Sequence, residues 1–296
     1  MRPQGLKTGL GRGRIPLYIQ VVVLSAVLAG DSAATPLEAV PKRVISLTPS
    51  VTETLYALGV GDRLVGVSEE CDEPAAAREL PRVGTFLAPV VERVLSLEPD
   101  LVIASPSPGN RNAVQAIERA GVRVAVVSEG SGSLADVRTS IRETAAAVGH
   151  EAEGRDLVAA LDVTLDEIRA RVARGDRPRT VVLVGLEPLV LAGPDSYLGE
   201  LVAIGGGANV AGLGGKWPRV GWEFLVSARP EVVIDASGAH GSADSSARRW
   251  RDFPDIPAVR ADRIHAVTGD LLLRPGPRTA RAAREIAGVI HPELWR

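Results

Sequence analysis

One twelve-residue phrase occurs twice in this chain. ERVLSLEPDLVI, residues 92–103, returns as EFLVSARPEVVI, residues 223–234. In each copy a glutamate (Glu92, Glu223) stands seven residues before a proline (Pro99, Pro230). An apolar helical turn fills the gap, an acid follows the proline (Asp100, Glu231), and a β-branched apolar run comes next. A helix–proline–strand unit used twice at wide separation constrains the fold to two similar α/β lobes. It also sets one acid at a matching position on each lobe, an arrangement that suits a partner with two-fold symmetry.

The surrounding pattern extends the unit. Short apolar runs at 44–47, 65–67, 101–104 and 124–127 alternate with helical stretches at 52–58, 89–97, 111–120 and 133–148, the last with Ser133 as its N-cap. Strands separated by helices imply parallel βαβ units with right-handed crossovers. A different segment follows: Leu157, Leu161, Leu165, Ile168 and Val172 recur at spacings of four, four, three and four, one apolar stripe on a helix over residues 151–174. The alternation then restarts, with strands at 180–185, 232–235 and 264–268 and helices at 197–204, 223–227 and 279–290. The expected architecture is two doubly wound, Rossmann-like lobes, residues 43–149 and 178–296, joined by one long backbone helix over 150–175. In such sheets ligands sit beyond the carboxyl ends of the strands, so the ligand cleft is expected between the lobes. The loops that would line it are 48–50, 69–72, 84–86 and 105–110 in the first lobe, and 186–195, 216–218, 237–242 and 269–276 in the second.

Residues 1–34 read as a secretory leader: Arg2, Lys7, Arg12 and Arg14, a mostly apolar run over 15–29, then Ser32-Ala33-Ala34 as an A-x-A-like cleavage site. The alternative is an uncleaved anchor, although the run is short of the roughly 20 residues a membrane span needs. Cys71 is the only cysteine and lies far beyond the apolar run, so no intramolecular disulfide forms and no lipid-bearing cysteine follows the leader. The expectation is a soluble periplasmic protein, monomeric and not a lipoprotein. A net charge of −2 with no basic stripe argues against nucleic acid as a partner.

Catalytic motifs are missing. There is no phosphate-binding G-x-x-x-x-G-K-[ST], no G-x-S-x-G elbow and no H-E-x-x-H, and the four histidines lie too far apart for metal-ligand spacing. No catalytic residue, cofactor or resident metal is therefore expected. Single residues on the cleft loops remain. His240 follows a strand's carboxyl end and reads either as a solvated histidine or as a ligand contact. Cys71 reads first as a small buried side chain. Trp217, between Lys216 and Pro218, must be explained by burial or by stacking on a ligand. Arg274 follows the last strand, where it could pair an anionic group. Glu92 and Glu223 each open a helix, where a carboxylate suits the positive dipole end by about 0.3–1 kcal/mol. That effect does not account for the matched offset.

The segments RVISLTPSVTETLYALG, VGVSEECDEP, ERVLSLEPDLVI, KWPRVGWEFL and RPGPRTARAAREIA together resemble the periplasmic binding proteins of cobalamin, haem and ferric-siderophore uptake. The resemblance runs over residues 43–292 and is strongest for the cobalamin branch, through GVSEECDEP and the Trp217-Pro218 pair ahead of Glu223. It implies a clamshell receptor whose cargo, a corrinoid with cobalamin foremost, is a ligand and not a cofactor. It also implies an ABC permease dimer as partner, docked through Glu92 and Glu223. Carried over position by position, it places Ser50, Glu70, Phe86, Trp217, Asp270 and Arg274 at the ligand, to which the strand-end reading adds His240. Glu70, Ser105 and Leu271 stand where the cobalamin receptors carry aromatics. Haem or a ferric siderophore is the alternative cargo, with His240 or Tyr197 as the available axial ligand. An envelope enzyme or sensor reusing the fold is the alternative from another class.

Overall fold

The computed structural model describes residues 40–295 apart from 106, 129–131, 213, 240–248 and 268. The leader over residues 1–34 and His240 therefore lie outside the described residues.

The first lobe is a four-stranded parallel sheet in the order β2-β1-β3-β4. Its strands are β1 (Val44–Ser46), β2 (Leu64–Val67), β3 (Leu101–Ala104) and β4 (Arg123–Val126). Helices α1 (Pro49–Ala57), α2 (Val91–Ser96), α3 (Arg111–Arg119) and α4 (Leu134–Ala147) connect and cover them. Ser133 caps α4 as expected, its hydroxyl accepting from the Asp136 N–H at 3.2 Å. After α5 (Glu151–Val172) the second lobe builds the sheet β6-β5-β8-β9 from β5 (Arg179–Leu186), β6 (Leu189–Leu191), β8 (Val232–Asp235) and β9 (Ile264–Ala266). The short β7 (Ala208–Asn209) pairs with the start of β5. Helices α6 (Tyr197–Ile204) and α7 (Trp222–Ala228) precede the final helix Thr279–Ile290.

The repeated phrase proves to be a structural joint, matched in backbone detail. Glu98 and Arg229, the residues before the two prolines, both hold a left-handed φ of 47°. A following proline disfavours the right-handed helical region, and in both copies the chain leaves the helix through a left-handed residue just before it. Two side chains from the neighbouring strand secure that turn. The Arg43 guanidinium donates to the Leu97 and Glu98 carbonyls at 2.6 and 2.9 Å, and Arg179 does the same to the Ala228 carbonyl at 3.0 and 2.6 Å. In return, the acid after each proline accepts from the start of that strand. Asp100 takes the Lys42 and Arg43 N–H groups at 2.8 and 2.9 Å, and Glu231 takes the Arg179 N–H at 2.8 Å. Four charged hydrogen-bonding residues thus fasten helix end to strand start in both lobes. Asp100→Ala is expected to cost about 1–2 kcal/mol in a urea melt, the value of charge-assisted bonds discounted for exposure.

The apolar stripe of α5 serves a core shared by both lobes. Val158, Leu161, Leu165 and Ile168 are buried together with Leu134, Val137 and Ile141 of α4 and with Leu198, Leu201, Ile234 and Ile286 of the second lobe. The α4–α5 hairpin is close enough that a Cβ on Gly154 would stand 2.4 Å from the Ala145 methyl. Lobe one's own cluster, around Val44, Val51, Leu55 and Leu101, reaches the same hairpin through Ala145 and Val148.

Four local expectations are corrected. Residues 49–50 are not loop but the first turn of α1, with Pro49 at its start, so Ser50 is a helical residue. Residues 89–90 are not helical, because the Val90 N–H donates to the Val83 carbonyl at 2.7 Å and Pro89 bridges Gly84. Residues 186–195 are not one loop: β6 folds back antiparallel on β5, burying Leu189 and Leu191. Residues 269–276 contain a helical turn, Gly269–Leu273, which buries Leu271 and Leu272.

Candidate functional site

Ion pairs cross the junction between the lobes. Glu53 of α1 is 5% exposed and takes two hydrogen bonds from the Arg278 guanidinium, at 2.7 and 2.6 Å. Nearby, Arg274 contacts Asp72 of the first lobe closely and Asp270 of its own helical turn at 3.1 Å. These two pairs join residues 225 and 202 positions apart in the chain. Burial pushes the Asp72 carboxyl up, but the Arg274 hydrogen bond and charge outweigh it, so the group sits below the usual carboxylate range. For Glu53 the balance reverses: burial raises the carboxyl by more than Arg278 lowers it.

The remaining expected ligand residues take varied positions. Trp217 keeps 37% of its surface exposed and meets Tyr197 edge-on at 6.3 Å between ring centroids. Its neighbour Lys216 places Nζ 3.9 Å from Asp136 of α4, so this loop lies at the lobe junction. Phe86 is half-buried, and its N–H donates to the Glu70 carboxylate at 3.0 Å. Glu70 thus braces the Phe86 loop, and Asn110 braces it from the other side by donating to the Phe86 carbonyl at 3.3 Å. Ser50 is 5% exposed and faces Gly276 across the lobes, where an added Cβ would lie 3.4 Å from the Ser50 Cβ. Asp270 is exposed. Tyr197 is 2% exposed, and burial holds its phenol far above the usual range, so it stays protonated beneath Trp217. Beside these loops a cavity of about 420 Å³ opens on the α3 flank, bounded by Ser105, Asn110, Arg111 and Val126.

Cys71 is fully buried between the Thr52 and Ser68 hydroxyls, each 3.1 Å from its sulfur, and burial pushes its thiol up. It is a core residue. Among the described residues no three His, Cys, Asp or Glu side chains gather to hold a metal, and no helix is long and apolar enough to cross a membrane.

Glu92 and Glu223 are exposed in the first turns of α2 and α7. Neither forms an ion pair among the described residues. The α7 turn is anchored from below: Trp222 stacks on Phe253 at 4.5 Å and meets Trp250 edge-on at 5.0 Å, and the Trp250 indole N–H donates to buried Asp235 at 3.1 Å.

Asp72, Glu53 and Arg278 are the members of this site that sequence reasoning missed. Each sits in an unremarkable local context, and its partner is defined only when the lobes meet. The DEP and RPGPR segments hold complementary charges, but nothing local says which charge meets which.

Against known families, residues 44–270 match the model of the periplasmic binding proteins. The chain belongs to that family. It is 30% identical over 262 residues, 86% of this chain and 82% of the other, to the uncharacterised ABC transporter substrate-binding lipoprotein YvrC of Bacillus subtilis. It is 28% identical over 274 residues to the vitamin B12-binding protein of Vibrio parahaemolyticus, covering 92% of this chain and 95% of that one. The solved apo structure of the periplasmic haem-binding protein RhuT from Roseiflexus superposes with a TM-score of 0.75 at 27% identity, covering 86% of this chain and 99% of that one. The two-lobed clamshell expected from the sequence is therefore the family's own fold. As a member of this family the chain is a substrate receptor of ABC import, a protein that carries a transported ligand and not a cofactor.

Proposed function

We propose that this periplasmic binding protein captures a corrinoid, cobalamin foremost, in the cleft between its lobes and delivers it to an ABC permease dimer. The observation that carries the ligand reading is the pairing of an open indole with a neutralised cation. Trp217 leaves 37% of its surface free at the lobe junction, while Arg274 is already matched by Asp72 and Asp270. Such a cleft favours a large, largely neutral ligand with apolar faces over one that brings acidic groups. The vitamin B12-binding relative, aligned over 92% of this chain, supports the same choice. Haem is the second reading, supported by the likeness to RhuT. It asks for an axial ligand, and Tyr197 is buried and protonated.

In this reading residues 1–34 are the leader, and lobes 43–149 and 178–296 hinge on residues 150–175. The mature protein is read as a monomer, and as free in the periplasm because Cys71 lies in the core and not at a lipidation position. The reading involves no catalytic step, and the substrate-binding relatives favour it over an envelope enzyme or sensor. Glu92 and Glu223 are the docking acids, one on each lobe. Long-range attraction to permease arginines would guide the encounter and weaken with salt.

The test is titration of the purified protein with cyanocobalamin, haemin and a ferric siderophore, followed by indole fluorescence. Cyanocobalamin is expected to quench the signal saturably. Trp217→Phe should remove most of that quench, whereas Trp222, Trp250 and Trp295 stay in place as silent background. Trp217→Ala should weaken binding at least tenfold, as for the loss of an aromatic anchor worth about 2 kcal/mol. No response to any corrinoid would end the corrinoid reading and leave the receptor reading standing.

A further inference from the structure

Arg274 is the cation of the last loop, and its side chain is only 16% exposed. It is held between two carboxylates, Asp270 from its own turn and Asp72 from the opposite lobe. The trio carries a formal charge of −1, and the Arg78 cation acts on Asp72 from the same lobe. Asp72 differs from Asp270 in one respect. Asp270 stands one helical turn from Arg274 and travels with it, whereas Asp72 reaches Arg274 only because the lobes meet. The Asp72 side chain is 42% exposed, so lone pairs on it remain open to the cleft.

Two kinds of ligand meet this trio differently. An amide N–H can donate to the open lone pairs of Asp72 and Asp270 and leave Arg274 paired. A carboxylate or phosphate finds its natural partner occupied, and must displace Asp72 while facing like charge from both sides.

We propose that Asp72 is a specificity-determining residue: it occupies Arg274 as an internal stand-in for an acidic ligand group, and so selects amide-bearing ligands against acidic ones. This rests on the reading that the ligand enters between the lobes, but not on the ligand being a corrinoid. Glu53 and Arg278, paired behind it, hold the lobes at the spacing that lets Asp72 reach.

The experiment compares wild type, Asp72→Asn and Asp72→Asn/Arg274→Gln. Thermal melts with and without inorganic phosphate give a reading that needs no natural ligand. Phosphate should stabilise Asp72→Asn and neither of the other two, because only that variant keeps the arginine while removing one of its two carboxylate partners. Titrations then use cyanocobalamin, its monocarboxylic acid derivatives and haemin. Wild type should prefer the amide form over the acids at least tenfold, and Asp72→Asn should shrink that ratio at least tenfold by strengthening the acids. If wild type binds haemin and no corrinoid, the corrinoid reading fails, and Asp72→Asn must still tighten haemin by tenfold. The proposal is overturned if phosphate shifts all three proteins equally or none of them. It is also overturned if Asp72→Asn moves acid and amide ligands alike, or if its effect survives Arg274→Gln.

Discussion

Reversing Glu92 and Glu223 together to lysine is expected to lower uptake at least a hundredfold in cells or in reconstituted vesicles, with ligand affinity of the isolated protein unchanged within threefold. Both acids are exposed and without an ion-pair partner among the described residues, and each sits on a helix turn fixed by other groups. Reversal should therefore leave the lobes intact. At an interface it replaces two attractive charges with two repulsive ones, and like-charge contacts cost several kcal/mol. Every 1.4 kcal/mol is a factor of ten in the complex. Each single reversal should give an intermediate loss, since the two lobes would meet separate halves of the permease, and the defect should deepen at low salt where repulsion is least screened. Uptake that continues at the wild-type rate with both charges reversed would remove these glutamates from the docking surface.

Loss of the Glu53 carboxylate is expected to have the largest effect on stability. Glu53→Ala leaves the Arg278 guanidinium without its two-pronged partner. Removing one member of a buried pair typically costs about 3–5 kcal/mol, and the 24% exposure of Arg278 places this case near the lower end. Glu53→Leu combined with Arg278→Met should recover most of that loss, because the apolar pair carries no stranded charge. Denaturant melts check both. A recovery no better than the sum of the single losses would show that the pair is not the unit at stake.

The two acids at this junction should also respond to pH in opposite senses. The Asp72 carboxyl is lowered on folding, so its contribution is present above the unfolded value of about 3.9 and is lost as pH falls through the folded value. The Glu53 carboxyl is raised, so its contribution is present below the unfolded value of about 4.3 and is lost as pH rises through the folded value. Melting temperature followed from pH 3 to 8 should accordingly lose part of its acid limb in Asp72→Asn.

The repeated phrase, read as sequence, determined the two-lobed α/β plan, because a proline that stops a helix and a β-branched run that starts a strand act through near neighbours. The same locality makes legible Ser133 as a cap, the apolar stripe of α5 and the place of Glu92 and Glu223 in first helical turns. Where short-range signals compete, legibility ends. The run at 189–191 is too short to declare itself a strand, and the leucines at 271–273 bury themselves as a helical turn inside what reads as a loop. The tertiary structure alone decided what Arg274 meets. Its partner Asp72 lies 202 residues away, and a charge pair across a hinge is set by how two lobes close, which no local pattern encodes. The chain's own repetition therefore determines the frame and the placement of two free acids. Long-range closure determines which charges pair at the lobe junction, and the proposed ligand selectivity rests on that pairing.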